Sequence, residues 1–418
     1  MSNHDRVAQR LAALATGLIL AAVFLGSPNW RGLSGPDVRP FAGDFLQEWI
    51  GGRVVLSGDY QRFYDPAYAA ELEHRADLVG FEWRSDEYLP LVYPPFYYLL
   101  VSPFALLPYH TAAVVWAIAM VAAYLLAWRI LAATLRQQGT PLSPWLLPAS
   151  LLFMPLIENF TTGQKASLLL LIAVGTYALL VRRRPFAAGL VFGLMAFKPQ
   201  LLFVVVLAML AKRQARFTAG VTITVSALAL LCLPLGIDVC WQYVEFSRHA
   251  GEYLHTPGYA LAKSHALSGF WTLLFGFESS AVWPLVGLTA AAIATGLTWT
   301  LRGPSDVLHE RFRWQFSALI VATILLSPHL YTYDLTLLLL PLTLIVSGTT
   351  TRQQVRALAV ALYCLVGLSP AVATATHVQG SVVLMLALFA LLVRHRCSDG
   401  RLQCPALPGL KLRMSHPA

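Results

Sequence analysis

Long apolar runs alternate with short basic clusters from one end of the chain to the other. Leu11–Leu25, Thr111–Leu131, Pro144–Ile157, Ala166–Val181, Phe217–Leu235, Ala281–Leu301, Trp314–Ser327, Tyr331–Val346, Val355–Val372 and Val378–Val393 each read as a spanning segment. Backbone groups in lipid must be satisfied within the segment, so the expected element is a helix. The apolar-polar alternation of a membrane β-barrel is absent. Pro148 and Pro155 predict a broken helix over Pro144–Ile157. Phe96–Leu107 is too short to cross, about 18 Å as a helix. It is expected in the interface, with Tyr93, Tyr97, Tyr98 and Tyr109 at headgroup level.

One polar island interrupts this pattern. Between Pro28 and Tyr93 lie 11 of the 21 acidic residues. Arg6 and Arg10 precede the first apolar run, and Ser27-Pro28-Asn29 lacks a small-x-small cleavage site. The expected arrangement is an uncleaved first helix with its N-terminus in the cytoplasm. The island then belongs to a large extracytoplasmic loop, residues 28–109. Arg182-Arg183-Arg184 and Lys212-Arg213…Arg216 are both basic, so both are expected on the cytoplasmic side. The segment between them, Pro185–Ala211, must then enter and return, with Lys198-Pro199-Gln200 at its tip. That hairpin brings the later loops into register and makes 236–280 a second large outer loop. The prediction is an all-α polytopic membrane protein with about 10–12 transmembrane helices. It has a single transmembrane domain over 1–396 and a cytoplasmic tail over 397–418.

Composition agrees. The chain is 57% hydrophobic and 12% charged, against roughly a quarter charged in soluble domains. The net charge of +9 lies in short clusters between apolar runs, which argues against nucleic acid as a partner. Five scattered cysteines form no C-x-x-C pair and predict neither a metal site nor a disulfide framework. Cys364, inside an apolar run, reads as a small core residue. No Walker A loop, G-x-G-x-x-G, H-E-x-x-H, G-x-S-x-G or D-x-D is present. Without a nucleotide-binding domain or a carboxylate pair for a metal–nucleotide-sugar, any sugar moved here is expected to arrive on a lipid.

Four polar segments fall on the outer side of this topology: Asp44; Glu158-Asn159 with Thr161–Lys165; Lys198; and Ser327–Asp334. Each also has an ordinary reading. Asp44 could be a solvated carboxylate or a helix N-cap. Lys198 could snorkel, although a lysine inside a long apolar stretch is by default a functional candidate. His329 could be a capped turn histidine, and Asp334 could serve a helix N-terminus.

In order along the chain come Gly43-Asp44-Phe45, Gly58-Asp59-Tyr60…Tyr64-Asp65-Pro66, Tyr93-Pro94-Pro95…Leu107-Pro108, Gly163-Gln164, Phe197-Lys198-Pro199-Gln200 and Pro328-His329…Tyr333-Asp334-Leu335. In these motifs the chain resembles the GT-C integral-membrane glycosyltransferases, above all family 87, the polyprenol-phosphate-mannose-dependent α-mannosyltransferases. The resemblance implies a GT-C-like bundle in the inner (plasma) membrane. Its active site would face the extracytoplasmic side and use no metal or other cofactor. It implies transfer of a hexose, mannose above all, from a polyprenyl-monophosphate donor to a glycolipid or glycan acceptor. Asp44 then matches the catalytic base, and His329 would hydrogen-bond or protonate the leaving phosphate. Lys198 would pair with that phosphate, and Gln200, Gln164, Tyr93, Tyr333 and Asp334 join it as substrate-binding residues. Two other functions remain compatible with the residues themselves: a flippase or transporter of lipid-linked saccharides, and an oligosaccharide polymerase or ligase.

Overall fold

The computed structural model of the chain describes residues 3–26, 41–81, 88–249, 260–303, 307–308, 310–348 and 352–399. Residues 28–40 of the first predicted loop, 250–259 of the second and the tail from 400 onward lie outside the described residues.

Every regular element among the described residues is helical. The chain opens with α1 (Asn3–Gly26). Four short helices follow in the first loop: α2 (Leu46–Ser57), α3 (Pro66–Glu73), α4 (Ala76–Val79) and α5 (Pro95–Val101). Then come α6 (Tyr109–Gln137), α7 (Leu146–Leu151), α8 (Met154–Thr162) and α9 (Ala166–Val181). α10 (Pro185–Gly193), α11 (Pro199–Ala211) and α12 (Ala215–Leu230) form the next group. The chain continues through α13 (Ile237–Arg248), α14 (Leu267–Phe275), α15 (Val282–Leu301), α16 (Glu310–Leu326) and α17 (Leu339–Ser347). It closes with α18 (Gln353–Leu365), α19 (Ser369–Thr376) and α20 (Gly380–Asp399).

Among the described residues five helical stretches are long and apolar enough to cross a membrane: Arg6–Leu25, Tyr109–Gln137, Ala215–Leu235, Val282–Leu301 and Gln353–Thr376. The other expected spans are shorter or broken. α9 has 16 residues, and α10 and α11 are interrupted at Lys198. Irregular backbone at membrane depth is tolerated where protein surrounds it. The break at Lys198 is such a case, with Phe197 and Lys198 both buried, and the regular helix α16 is buried continuously from Phe312 to Leu325. Apolar side chains on the long helices, among them Leu18, Ile118, Ile223 and Leu288, project outward and are exposed, as a bilayer-facing surface requires. Cys364 belongs to that surface. It is exposed on α18, so the core role read from its apolar neighbours is corrected.

Proline sets the breaks. The expected broken helix over Pro144–Ile157 is two helices, α7 and α8, parted at Leu152-Phe153 just ahead of Pro155. Pro199 occupies the first position of α11 and disfavours helical backbone at the residue before it. Lys198 accordingly leaves the helix, at φ −123° and ψ 75°. The chain turns back there. α10 and α12 run in the same direction in close contact. A Cβ at Gly189 would lie 2.0 Å from the Phe217 carbonyl oxygen, and one at Gly220 would lie 2.3 Å from that of Phe186. This is the small-residue packing that lets membrane helices approach closely. Both basic connections, 182–184 and 212–216, therefore sit at one end of the bundle, with Lys198 at the other.

The first loop packs its aromatic residues inward. Tyr93, Tyr97, Tyr98 and Tyr109 are all buried within the protein, Tyr98 and Tyr109 to within 1%. The hydroxyls of Tyr98 and Tyr109 are paired inside the protein. Tyr109 donates to the carbonyls of Phe41 and Ala42 at 3.0 and 2.9 Å, and Tyr98 accepts from the Tyr93 amide at 3.2 Å. Trp49 donates to the Leu107 carbonyl at 3.0 Å, and Gln47 donates to that of Pro90. Folded inward, the loop satisfies these polar atoms internally and buries its aromatic rings together.

Candidate functional site

Asp44 lies in a short 3₁₀ turn, Gly43–Phe45, that leads into α2. Ala42 before it takes the left-handed conformation, φ 55°, a cost an alanine accepts only where its surroundings hold it. Those surroundings are the Tyr109 hydroxyl on its carbonyl and the Phe45 ring, stacked on Trp116 at 4.9 Å. Trp116 in turn donates to the Gly163 carbonyl at 2.7 Å. A Cβ at Gly163 would lie 2.5 Å from that of Ala42. The base of the Asp44 turn is thus pressed against the end of α8.

Gly163 terminates α8 with φ 79°, and the Gln164 amide closes the end by donating to the Asn159 carbonyl at 2.9 Å. The Asn159 side chain then starts the next helix: its Oδ1 accepts from the Ala166 amide at 2.6 Å, and its Nδ2 donates to Ser167 Oγ at 3.0 Å. Gln164 and Lys165 are held between these two caps. Gln164 Nε2 donates to Asp44 Oδ2 at 3.0 Å, and Lys165 Nζ pairs with Glu48 Oε1. Two consecutive residues therefore grip two carboxylates one helical turn apart. Lys165 also stands 3.8 Å over the Tyr93 ring.

Replacing Gly163 by Ala tests this junction. The left-handed backbone alone is expected to cost roughly 1–3 kcal/mol, before the contact with Ala42 is relieved. The expected result is a lower unfolding temperature in detergent together with weakened function, because Ala42 precedes Asp44 by only two residues. Unaltered stability would rule out the tight junction.

A second buried ion pair joins the hairpin tip to the turn before α17. Lys198 Nζ pairs with Asp334 Oδ1 and stands 5.2 Å from the centre of the Tyr333 ring. Asp334 is held in addition by the Tyr331 amide, at 3.4 Å, in a capping box, so it serves a helix start as well as Lys198. His329 packs edge-on to Tyr331 with ring centres 4.8 Å apart. Tyr97 stacks on Phe197 at 5.3 Å and ties the first loop to the hairpin tip. Gln200 is half-buried in the first turn of α11 and belongs to neither ion pair.

The electrostatics follow from burial. Desolvation raises the Asp44 carboxyl above its ordinary value. The Gln164 hydrogen bond, the Lys165 and Lys263 cations and Thr162 pull it back. Burial likewise pushes Glu48 up and Lys165 down, while each partner's charge favours the ionised form of the other. Protein crowded around the His329 ring, together with the Lys198 cation, holds its imidazole below the ordinary value, and Asp334 acts against them. His329 is therefore neutral near pH 7, suited to hydrogen bonding more than to donating a proton as an acid.

Asp44, Gln164, Lys198, Asp334, Tyr333, Tyr93 and His329 thus gather at one end of the bundle, and Gln200 stands at the edge of the group. Sequence reasoning missed Glu48 and, although it placed Lys165 in a polar segment, gave that lysine no role. Glu48 looked like one more acid of an acidic loop, but its spacing of four from Asp44 at a helix start was a signal available in the sequence. Among the described residues no group of three His, Cys, Asp or Glu side chains could hold a metal ion.

The family model of glycosyltransferase family 87 matches residues 91–328, more than half of the chain. No curated protein and no solved structure matches. The matched stretch contains Tyr93, Gln164, Lys165 and Lys198. Asp44 and the residues from His329 to Asp334 lie outside it and join the site through the fold.

Proposed function

The chain belongs to glycosyltransferase family 87, and from that membership we propose that it moves a hexose, mannose above all, from a polyprenyl-monophosphate donor to a glycolipid or glycan acceptor. The site would open on the extracytoplasmic face of the inner (plasma) membrane. That orientation puts the basic connections 182–184 and 212–216 inside and the carboxylate cluster outside, in keeping with the positive-inside rule.

The observation that carries the proposal is the Asp44–Gln164 contact, set beside two buried lysine–carboxylate pairs. Asp44 accepts a proton from an acceptor hydroxyl as that oxygen bonds to the anomeric carbon. The bond from that carbon to the phosphate oxygen breaks, and its electron pair stays on the phosphate. A singly charged phosphodiester thereby becomes a monoester with a second ionisable oxygen. A cation near it favours the transition state over the ground state, because the charge is developing there. Lys198 supplies that cation. Its ammonium has three N–H donors, and Asp334 takes one. Neutral His329 adds a hydrogen bond to the same phosphate.

The pH dependence follows with its sign. A general base works in its ionised form, so transfer falls as pH drops through the Asp44 pKa. That pKa lies above the ordinary 3.8, so the acid limb of kcat/KM belongs above the usual carboxylate range. A hydrogen bond to the charged form lowers a pKa. Gln164→Leu removes that bond and is expected to move the limb to still higher pH. A pH–rate profile with purified protein and polyprenyl-phosphate-mannose checks both statements. An acid limb that stays in place in Gln164→Leu removes Asp44 from the role of base.

A further inference from the structure

A third cation reaches Asp44 from the second outer loop, and the mechanism above does not use it. Lys263 ends a 3₁₀ turn, Leu261–Lys263. Its ammonium lies 3.2 Å from Glu158 Oε1, with side-chain exposures of 52% for Lys263 and 17% for Glu158. Glu158 belongs to the last turn of α8, whose Thr162 hydroxyl donates to the Glu158 carbonyl at 2.8 Å. The next residues, Gly163 and Gln164, carry the contact to Asp44. Lys165 is buried against Glu48, and Lys198 is buried beside Asp334 with its other N–H donors assigned to the phosphate, whereas the Lys263–Glu158 pair is partly exposed and open to an incoming molecule.

The strap that carries Lys263 is firmly held. Ser264 bridges to Tyr331, and the His265 amide donates to the Leu330 carbonyl at 2.8 Å. The His265 ring, fully buried, is hydrogen-bonded to Ser381 Oγ at 2.6 Å and Thr332 Oγ1 at 3.1 Å. Gln379 Nε2 donates to the carbonyls of Ala262 at 2.6 Å and Ser264 at 3.1 Å. The backbone beneath Lys263 is therefore fixed in advance, and binding there carries little ordering cost.

From this geometry we infer that Lys263 and Glu158 form the acceptor-side subsite and read neighbouring hydroxyls of a neutral sugar. The inference rests on the transferase reading given above and names its acceptor class. The pair offers N–H donors and a carboxylate acceptor side by side, which complements a vicinal diol. Gln164 Oε1, buried beside Asp44, has no hydrogen-bond partner and is a further acceptor for a sugar O–H. An anionic group placed there would face the carboxylates of Asp44 and Glu158. A neutral polyol meets no such repulsion.

The test is steady-state transfer from polyprenyl-phosphate-mannose to octyl mannoside and its monodeoxy analogues, with Glu158→Gln and Lys263→Met. Each substitution is expected to raise the acceptor KM about tenfold, with kcat and the donor KM near those of the unsubstituted protein. One monodeoxy acceptor should show the same loss with unsubstituted protein and little further loss with the variant, since substrate and side chain then lose one shared contact. A raised donor KM would place the pair on the donor phosphate and overturn the inference, as would an acceptor KM that does not move. Absence of transfer by the unsubstituted protein to any of these glycosides, with the donor still consumed on a cell-envelope lipid extract, overturns the inference and leaves the transferase reading standing, whereas no donor consumption on either overturns the donor assigned above.

Discussion

Asp44→Asn is expected to leave a folded protein whose sugar transfer is slower by about 10²–10⁴-fold, the usual contribution of a positioned general base. Asparagine has nearly the shape of aspartate, and its Oδ1 can still accept from Gln164 Nε2, so the turn Gly43–Phe45 keeps its support from Tyr109, Trp116 and Gly163. The loss then falls on the chemical step, because an amide cannot take the proton of the attacking hydroxyl. Single-turnover transfer from polyprenyl-phosphate-mannose, measured beside thermal unfolding in detergent, separates chemistry from folding. Transfer at full rate by a well-folded Asp44→Asn would end the assignment. Asp44→Glu offers a companion measurement: it restores a carboxylate displaced by one methylene, and partial recovery would identify position as the remaining requirement.

The second large effect concerns stability. Lys165→Met should cost about 3–5 kcal/mol, because it strands the Glu48 carboxylate in the protein interior. Both side chains of the pair are 1% exposed, so water cannot take the partner's place. The same substitution removes the Lys165 cation from the face of Tyr93, a smaller loss of about 0.5–2 kcal/mol. Adding Glu48→Met to Lys165→Met removes the stranded charge. It should restore most of the lost stability, since a well-packed apolar pair is often equivalent to a buried ion pair. Thermal unfolding of both single variants and the double variant gives the coupling. Strictly additive losses would show that the two residues do not depend on each other. Lys198 lies close enough to disfavour the Lys165 charge, and Asp334, its partner, offsets that effect.

Much of the helical framework was legible in the chain. Ala166–Val181 is a helix with the bounds read from its apolar run, and the turn at Lys198 follows from Pro199 and the two basic connections on either side. The four polar segments were legible as well, because a polar residue in an apolar run is conspicuous. Less legible was the acidic loop. Eleven acids there look alike in sequence, yet Asp59, Asp65 and Glu71 remain in the solvent-accessible part of the loop while Glu48 and Glu73 are buried. Glu73 shows how far placement alone can go. Burial pushes its carboxyl up to about 8, against the hydrogen bond it accepts from the Leu89 amide at 2.8 Å. The packing of the tyrosines was hidden for a related reason: an aromatic ring with one polar atom suits a headgroup layer and a hydrogen-bonded interior equally well.

Sequence alone determined that the chain is a helical membrane protein, that its helices break near Pro155 and Pro199, and which connecting segments carry unusual polar residues. These properties depend on hydropathy and on proline, both of which act over a few residues. Tertiary structure decided which carboxylate pairs with which lysine. Asp44 meets Gln164 across 120 positions, and Lys198 meets Asp334 across 136. Such contacts depend on how α2, α9 and the hairpin tip pack, and no local pattern encodes that packing. The desolvation that raises the Asp44 carboxyl, and the charge pairing by which Glu48 and Lys165 offset it at the next turn, exist only after those elements close around them.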